Sequence, residues 1–340
     1  MPHATLRCLS ADEVRRALPM TEAVEAMKRA LAALSAGEAA VPPRTHLALG
    51  GPSPDADDAA NPAGTALVMP AYAPADGRMG VKIVTLLKGN PGRGLPLLQG
   101  LMVLVDATTG APIAVMDAAS LTAVRTGAAS GAATDLLARP DAQAAAVFGA
   151  GVQGRTQLEA VCAVRPIRQA RVFDVHPEAA RALADEMTGR LGIAVDPAAS
   201  PAEALAGADV VCTATTASEP VFDDADLAAG VHLNAVGAYQ PPAREVPAET
   251  VCRARVVVDQ RAAALEEAGD LVVPIRDGLI TADHIAAEVG EIVAGRAEGR
   301  QSAEQVTLFK SVGVAVEDVA AAAAALVGAE RLGLGTVVRL

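Results

Sequence analysis

Three glycines and one acid carry the clearest chemistry in this chain. Gly149, Gly151 and Gly154 stand in Gly149-Ala150-Gly151-Val152-Gln153-Gly154, directly after the apolar run Ala144 to Phe148 and at the start of a helical pattern. That spacing suits a dinucleotide. The first glycine permits a tight turn, the second lets backbone approach a pyrophosphate, and the third lets the helix pack closely on its strand. The helix N-terminus then turns N–H groups toward the phosphates. Asp174 ends the next strand-like run, Gln169 to Asp174, at the position where an acid binds ribose hydroxyls. A glycine-rich turn followed by an ordinary strand-end acid is the plainer alternative, but the whole strand–helix–strand context required by the motif is present. Asp174 would repel a 2′-phosphate, and Val175 offers no cation to hold one. NAD is therefore the expected cofactor and NADP the second choice; His176 is the neighbour that qualifies this.

Three cations form a second group. Arg44 lies in Val41-Pro42-Pro43-Arg44, Lys82 inside Gly80-Val81-Lys82-Ile83-Val84, and Arg125 in Leu121-Thr122-Ala123-Val124-Arg125-Thr126. A charge within an apolar strand or helix needs a partner, because burying it alone is costly. Taken singly, each reads as a salt-bridged or snorkelling side chain; it is the combination that singles them out. His232 and His46 are acid/base candidates by chemistry alone, with a strand or loop residue as the plainer reading.

The elements that must position these residues follow from periodicity. Residues 10 to 35 read as one amphipathic helix opened by Ser10 and Asp12. Gly50 to Gly64 lacks periodicity and reads as an exposed hairpin loop. Strand-like runs at Thr65 to Met69, Gly80 to Thr85 and Leu101 to Asp106 are separated by turn residues, an α+β pattern. After Asp117 a helix over Ala119 to Leu137 leads into alternating strands and helices. Ala144 to Phe148, Gln169 to Asp174, Ala208 to Ala214, Val231 to Val236 and Arg255 to Asp259 read as strands, with helices at Gln153 to Ala163 and Pro177 to Leu191. Such alternation predicts an α/β, doubly wound parallel sheet of the Rossmann type. A last helix is expected at about Val312 to Leu326, crossing back to the first domain.

Bulk properties narrow the function. A chain of 340 residues with 51% hydrophobic content exceeds one ordinary domain. The net charge of -12 and the 2% aromatic share argue against nucleic acid. Cys8, Cys162, Cys212 and Cys252 are widely spaced, so neither a zinc site nor a disulfide framework is expected, and a reducing cytoplasm fits. The start lacks a signal-peptide pattern, and no apolar run reaches the roughly 20 residues of a membrane span. The run Val319 to Val327 is too short, and Glu317 and Asp318 before it suit a packed helix.

Several stretches together resemble the ornithine cyclodeaminase/μ-crystallin family: Gly80 to Gly94, Leu95-Pro96, Asp117 to Ala129, the glycine loop, Asn234-Ala235-Val236-Gly237, and Phe309 to Ala315. The resemblance implies a homodimer whose substrate-binding and dimerisation domain combines both chain ends (1–124 and 310–340), around an NAD-binding domain at 125–309. It implies that Arg44, Lys82 and Arg125 bind an amino-acid carboxylate beside the nicotinamide, a task to which two Arg forks and a Lys are suited. It adds Val152, Gln153, Thr215, Val236 and Gly237 to Gly149, Gly151, Gly154 and Asp174 as cofactor residues, and Ser311 as a substrate-binding residue bordering the active site.

The departures direct the chemistry. Cyclodeaminases carry a catalytic Asp where this chain has Tyr239, in Gly237-Ala238-Tyr239-Gln240-Pro241-Pro242-Ala243-Arg244-Glu245. Leu67 stands where they have an acid before Met-Pro, and Leu97 where a Thr follows Gly-Leu-Pro. Loss of the acids argues against a diamine substrate. The pattern around Tyr239 is similar to members that reduce cyclic ketimines. The expected reaction is NAD(P)H-dependent reduction of pyrroline-2-carboxylate or piperideine-2-carboxylate to proline or pipecolate. Lys82, Arg125 and Tyr239 are the catalytic candidates; Tyr239 closes the site or donates a hydrogen bond, with a packing aromatic as the alternative. Ornithine cyclodeaminase or alanine dehydrogenase activity, and non-catalytic ligand binding, are the alternatives for the chain.

Overall fold

The computed structural model describes residues 5–50 and 64–339. In chain order these begin with β1 (Thr5–Leu9), α1 (Ala11–Ala17), α2 (Met20–Ser35), β2 (Thr45–Leu49), β3 (Gly64–Ala73), β4 (Arg78–Leu87), β5 (Leu98–Asp106) and β6 (Pro112–Asp117). Next come α3 (Ala118–Leu137), β7 (Ala144–Phe148), α4 (Val152–Val164), β8 (Gln169–Phe173), α5 (Pro177–Leu191), β9 (Ala194–Pro197), α6 (Pro201–Leu205), β10 (Val210–Thr213) and β11 (His232–Ala235). The remainder is α7 (Ala248–Arg253), β12 (Arg255–Val258), α8 (Arg261–Glu267), α9 (Gly269–Arg276), β13 (Ile285–Glu288), α10 (Val289–Val293), β14 (Thr307–Lys310), α11 (Ala315–Leu332) and β15 (Thr336–Arg339).

The chain divides into two compact units. Unit 1 comprises Met1–Ala26, Gly37–Arg125 and Ala315–Leu340; unit 2 comprises Met27–Ala36 and Thr126–Val314. Residues 310–314, expected with the C-terminal segment, therefore go with unit 2. The reason is β14, which was not foreseen: it lies between β11 and β12 in the second sheet, and its four residues are too few to show a period.

Unit 1 holds a seven-stranded sheet in the order β15-β1-β6-β5-β4-β3-β2. Its strands pair antiparallel except β1 with β6. β1 and β15, from opposite parts of the chain, lie side by side, and the Gly335 N–H donates to Glu13 at 2.9 Å. Alternation along β4 puts Gly80, Lys82 and Val84 on the face that packs against α11. A Cβ at Gly80 would stand 2.6 Å from Met102 Cε and 2.8 Å from the Val103 carbonyl oxygen of β5, and 3.3 Å from Val319 of α11, so this glycine admits the neighbouring strand first and the helix second. The expected single helix over 10–35 is two, because Pro19 has no N–H to continue α1 and disfavours helical geometry at Leu18, which caps it at φ -124 and ψ 81. β2 and β3 pair antiparallel with Leu49 opposite Gly64; residues 51–63 of the expected hairpin loop lie outside the described residues.

Unit 2 holds an eight-stranded parallel sheet in the order β13-β12-β14-β11-β10-β7-β8-β9. β7, β10, β11 and β14 are buried along their whole length, as a sheet covered on both faces requires. The core is built from Ala and Val more than from aromatics, with Phe148 tilted against Phe173 and Phe222. The last long helix begins at Ala315, later than expected from Val312, because Gly313 has φ +76. Among the described residues, no helix is long and apolar enough to cross a membrane.

Candidate active site

The candidate residues form two groups, one in each unit. In unit 2 the strand order reverses at β7, with β8 on one side and β10 on the other. Ligands bind outside the carboxyl ends of strands at such a point. The glycine loop lies there. Gly149 has φ +96, and a Cβ on it would stand 2.6 Å from the Ala214 carbonyl oxygen. A Cβ on Gly154 would stand 2.1 Å from the Gly149 carbonyl oxygen. The fold itself thus requires these two glycines. Gly151, which caps α4, differs: φ is -81, and a Cβ would meet no protein atom within 4 Å.

Asp174 follows β8 and is tied to the loop. One carboxylate oxygen accepts the Ala150 N–H at 2.7 Å, and the other accepts the His176 N–H at 2.8 Å. Gly149, Gly151, Asp174, Val175, His176 and Thr215 are among the residues lining a cavity of about 630 Å³. Val152 is exposed at the first turn of α4, and the Gln153 side chain accepts the Thr156 hydroxyl at 3.2 Å. Val236 and Gly237 follow β11; neither lines that cavity. Arg155 braces the loop from behind, donating to the carbonyls of Ala150 and Gly151 and pairing with Glu186.

Sequence reasoning passed over Glu245. Its fully buried carboxylate accepts the Thr215 N–H and hydroxyl at 2.7 Å each, the Gly237 N–H at 2.7 Å, and the Ala238 N–H and Thr213 hydroxyl at 3.1 Å each. It joins the segments after β10 and β11, which carry Thr215, Val236 and Gly237. Burial pushes the Glu245 carboxyl above its ordinary value, opposed by the charge of Lys310. Lys310, also buried, pairs with Asp270 at 2.8 Å and donates to the Ala238 carbonyl. Asp270 in turn accepts the N–H groups of Glu245 and Val246. A cation in the apolar run Leu308-Phe309-Lys310 is the signal that had singled out Lys82 and could have found this network.

Ser311 belongs to unit 2, where its hydroxyl donates to the buried Asp259 at 2.9 Å; Asp259 also accepts the N–H groups of Val312 and Gly313. Tyr239 also belongs to unit 2 and is 41% exposed. His232 is not an acid/base group. It is buried in β11 between Thr307 and Asn234, and burial lowers its pKa to about 3, so it stays neutral at physiological pH. His46 is an exposed residue of β2.

In unit 1 the structure assembles the cations with two acids that sequence reasoning had left as helix residues. Lys82 sits on β4 between Met69 of β3 and Met102 of β5 and is 2% exposed. Its ammonium lies 2.8 Å from the Asp318 carboxylate. Arg125 donates through Nε to Asp318 at 3.0 Å and through Nη1 to Glu317 at 2.8 Å. Glu317 and Asp318 occupy the first turn of α11, where the helix dipole favours negative charge. Burial lowers the Lys82 pKa to about 8; Asp318 opposes that shift, whereas Arg125 and Arg44 reinforce it. Leu67 lies on the same face of β3 as Met69 and is buried, so β3 brings no acid to that position. Acids reach this cluster from α11 instead. Among the described residues, no group of three or more His, Cys, Asp or Glu side chains could hold a metal.

A sequence model of the ornithine cyclodeaminase/mu-crystallin family matches residues 6–328. The chain is 40% identical over 312 residues to the Delta(1)-pyrroline-2-carboxylate reductase of Bacillus cereus, covering 92% of this chain and 93% of that one. It superposes with a TM-score of 0.90 on the Thermococcus litoralis Delta(1)-pyrroline-2-carboxylate reductase, solved with NADH and L-proline; the two are 41% identical, over 97% of this chain and 99% of that one. An archaeal alanine dehydrogenase dimer with bound NAD gives a TM-score of 0.89 at 33% identity, over 99% of each chain.

Proposed function

Because the chain belongs to the ornithine cyclodeaminase/mu-crystallin family, we propose that it is an NAD(H)-dependent reductase of cyclic α-imino acids, pyrroline-2-carboxylate or piperideine-2-carboxylate, yielding proline or pipecolate. The observation that carries the reading is the buried cluster of Lys82 and Arg125, with Arg44 acting on it electrostatically. It offers a carboxylate a charged, hydrogen-bonding seat. The similarity to two pyrroline-2-carboxylate reductases supports the same substrate class.

The glycine loop fits a dinucleotide. Gly151 lacks a side chain although the protein leaves room for one, as expected where a pyrophosphate must approach the backbone. The Asp174 carboxylate serves the ribose hydroxyls and disfavours a 2′-phosphate. Glu245 holds Thr215, Gly237 and Ala238 in place, and Thr215 and Gly237 would then be fixed for contact with a bound cofactor. When bound, NADH supplies the hydride that the C=N carbon accepts. Arg44, Lys82 and Arg125 fix the substrate carboxylate and thereby orient that carbon; an iminium is already electrophilic, so positioning is the main task. Tyr239, 41% exposed, is available as a hydrogen-bond donor, and Ser311, through Asp259, holds the segment between β14 and α11.

A substrate panel tests this reading. Both cyclic imines should oxidise NADH, and NADPH should serve at least about tenfold less well, an electrostatic difference of roughly 1.4 kcal/mol. If ornithine with NAD⁺ releases ammonia and forms proline while neither imine turns over, the reductase reading fails. Alanine oxidation with ammonia release would support a second reading, favoured by the likeness to the alanine dehydrogenase.

We also propose that the protein is a homodimer paired through the outer face of the unit 1 sheet. Alternation puts Val68, Tyr72, Met79, Ile83 and Leu101 on the face opposite α11, with Ile83 directly across from Leu101. Ile83 is 44% and Leu101 54% exposed. A sheet face so apolar marks an interface, and a second copy is the occupant favoured by the neighbour that is a dimer. Ile83→Asp with Leu101→Asp should give monomers in sedimentation analysis; an unchanged mass would exclude this face.

A further inference from the structure

The cationic cluster of unit 1 contains two acids whose place in the reaction is unassigned. Asp318 is the member that touches both cations: it meets the Lys82 ammonium at 2.8 Å and Arg125 Nε at 3.0 Å. Its partners sit on different elements, β4 and α3, whereas Asp318 rides on α11. A carboxylate bridging two cations holds them closer than their mutual repulsion would otherwise allow.

We propose that Asp318 is a positioning residue of the carboxylate clamp, drawing Lys82 and Arg125 together and keeping Lys82 an ammonium, so that the clamp receives a monoanionic α-imino acid. This rests on the reading of the cluster as the seat of the substrate carboxylate. The charged groups acting on Lys82 are Asp318 from α11, Arg125 from α3 and Arg44 ahead of β2. Glu317 acts on it through Arg125. The cross-strand neighbours from β3 and β5, Met69 and Met102, carry no charge. Below about pH 8 Lys82 carries its proton. Removing the Asp318 charge leaves burial and the two arginines unopposed, so the proton is lost at lower pH.

The test uses the full-length protein with saturating NADH. Asp318→Asn should raise KM for pyrroline-2-carboxylate about tenfold, a loss of one charge-assisted contact, and leave KM for NADH within about twofold. The alkaline limb of kcat/KM should move down by about one pH unit. Asp318→Glu retains the charge but not the reach: its limb should match the wild type while KM for the imino acid rises. An Asn variant with unchanged limb and unchanged KM overturns the proposal. Where the Asn variant does not fold, a Glu variant with wild-type KM overturns it. Binding of pyrrole-2-carboxylate, a planar and non-reducible monoanion, separates the two readings. If the wild type binds it but reduces no imine, the reductase assignment fails, and the clamp is judged by whether Asp318→Asn weakens that binding about tenfold; unchanged affinity overturns the clamp role as well.

Discussion

An Arg125→Met protein should lose about 3–5 kcal/mol of stability, the usual cost of removing one member of a buried ion pair. It should also lose about 100-fold in kcat/KM for the cyclic imine, the equivalent of one strong charged contact of roughly 1.5–3 kcal/mol. Both losses come from one side chain, but through different partners. The stability loss arises because Glu317, fully buried, loses its Nη1 contact and Asp318 loses its Nε contact. The activity loss arises because the substrate carboxylate loses a guanidinium. A second substitution separates them. Arg125→Met with Glu317→Gln also removes the acid's charge and should regain much of the stability in a denaturant titration, while kcat/KM stays low. Recovery of activity in the double variant, or a single variant as stable as the parent, would count against the clamp.

The glycine loop gives the second large effect, and the two halves of the loop should respond differently. Gly154→Ala forces a methyl to 2.1 Å from the Gly149 carbonyl oxygen. Either α4 or the loop must shift, at about 1–3 kcal/mol of strain, and NADH affinity should fall about 100-fold because the phosphate-binding backbone moves with it. Gly151→Ala meets no protein atom within 4 Å at a φ open to alanine. Its melting temperature should therefore match the parent, while NADH titrations followed by fluorescence show an affinity loss of about tenfold or more, since the new methyl stands where the pyrophosphate approaches. If Gly151→Ala binds NADH normally, the pyrophosphate does not pass over that residue.

These two sites differ in how far the amino-acid order reveals them. The glycine loop is local: strand, turn and helix follow one another within 25 residues or so, and each glycine answers to a neighbour in the chain. β7 and α5 fall where periodicity places them. The clamp is not local. Lys82 meets an acid 236 residues later, and Arg125 meets two that are 192 and 193 residues later. Spacing reveals a cation that needs a partner but cannot say which acid supplies it. The resemblance placed the three cations together; it did not place Glu317 and Asp318, which read as the polar start of a helix. Glu245 escaped for the same reason, since its donors come from the ends of two strands brought together only by the parallel sheet. The split of residues 10–35 was legible in Pro19 and was overridden by the strong periodicity on either side.

The pairing of β1 with β15, and the contribution of α11 to the clamp, have a consequence for how the chain is made. Every residue of unit 2 lies at or before Val314, whereas unit 1 draws on residues from both sides of it. On the ribosome, β1 and β3 to β5 emerge long before the helix that covers them and the strand that completes their sheet. Their apolar inner face is left uncovered meanwhile, and Lys82 and Arg125 meet their acids only 236 and 192 residues later. Domains usually form as soon as their last segment is available, and loop closure over such distances costs only slightly more than over shorter ones. The cluster of Lys82 and Arg125, the proposed carboxylate seat, is thus among the last native features to appear: the acids that pair with it and the helix that buries it arrive together.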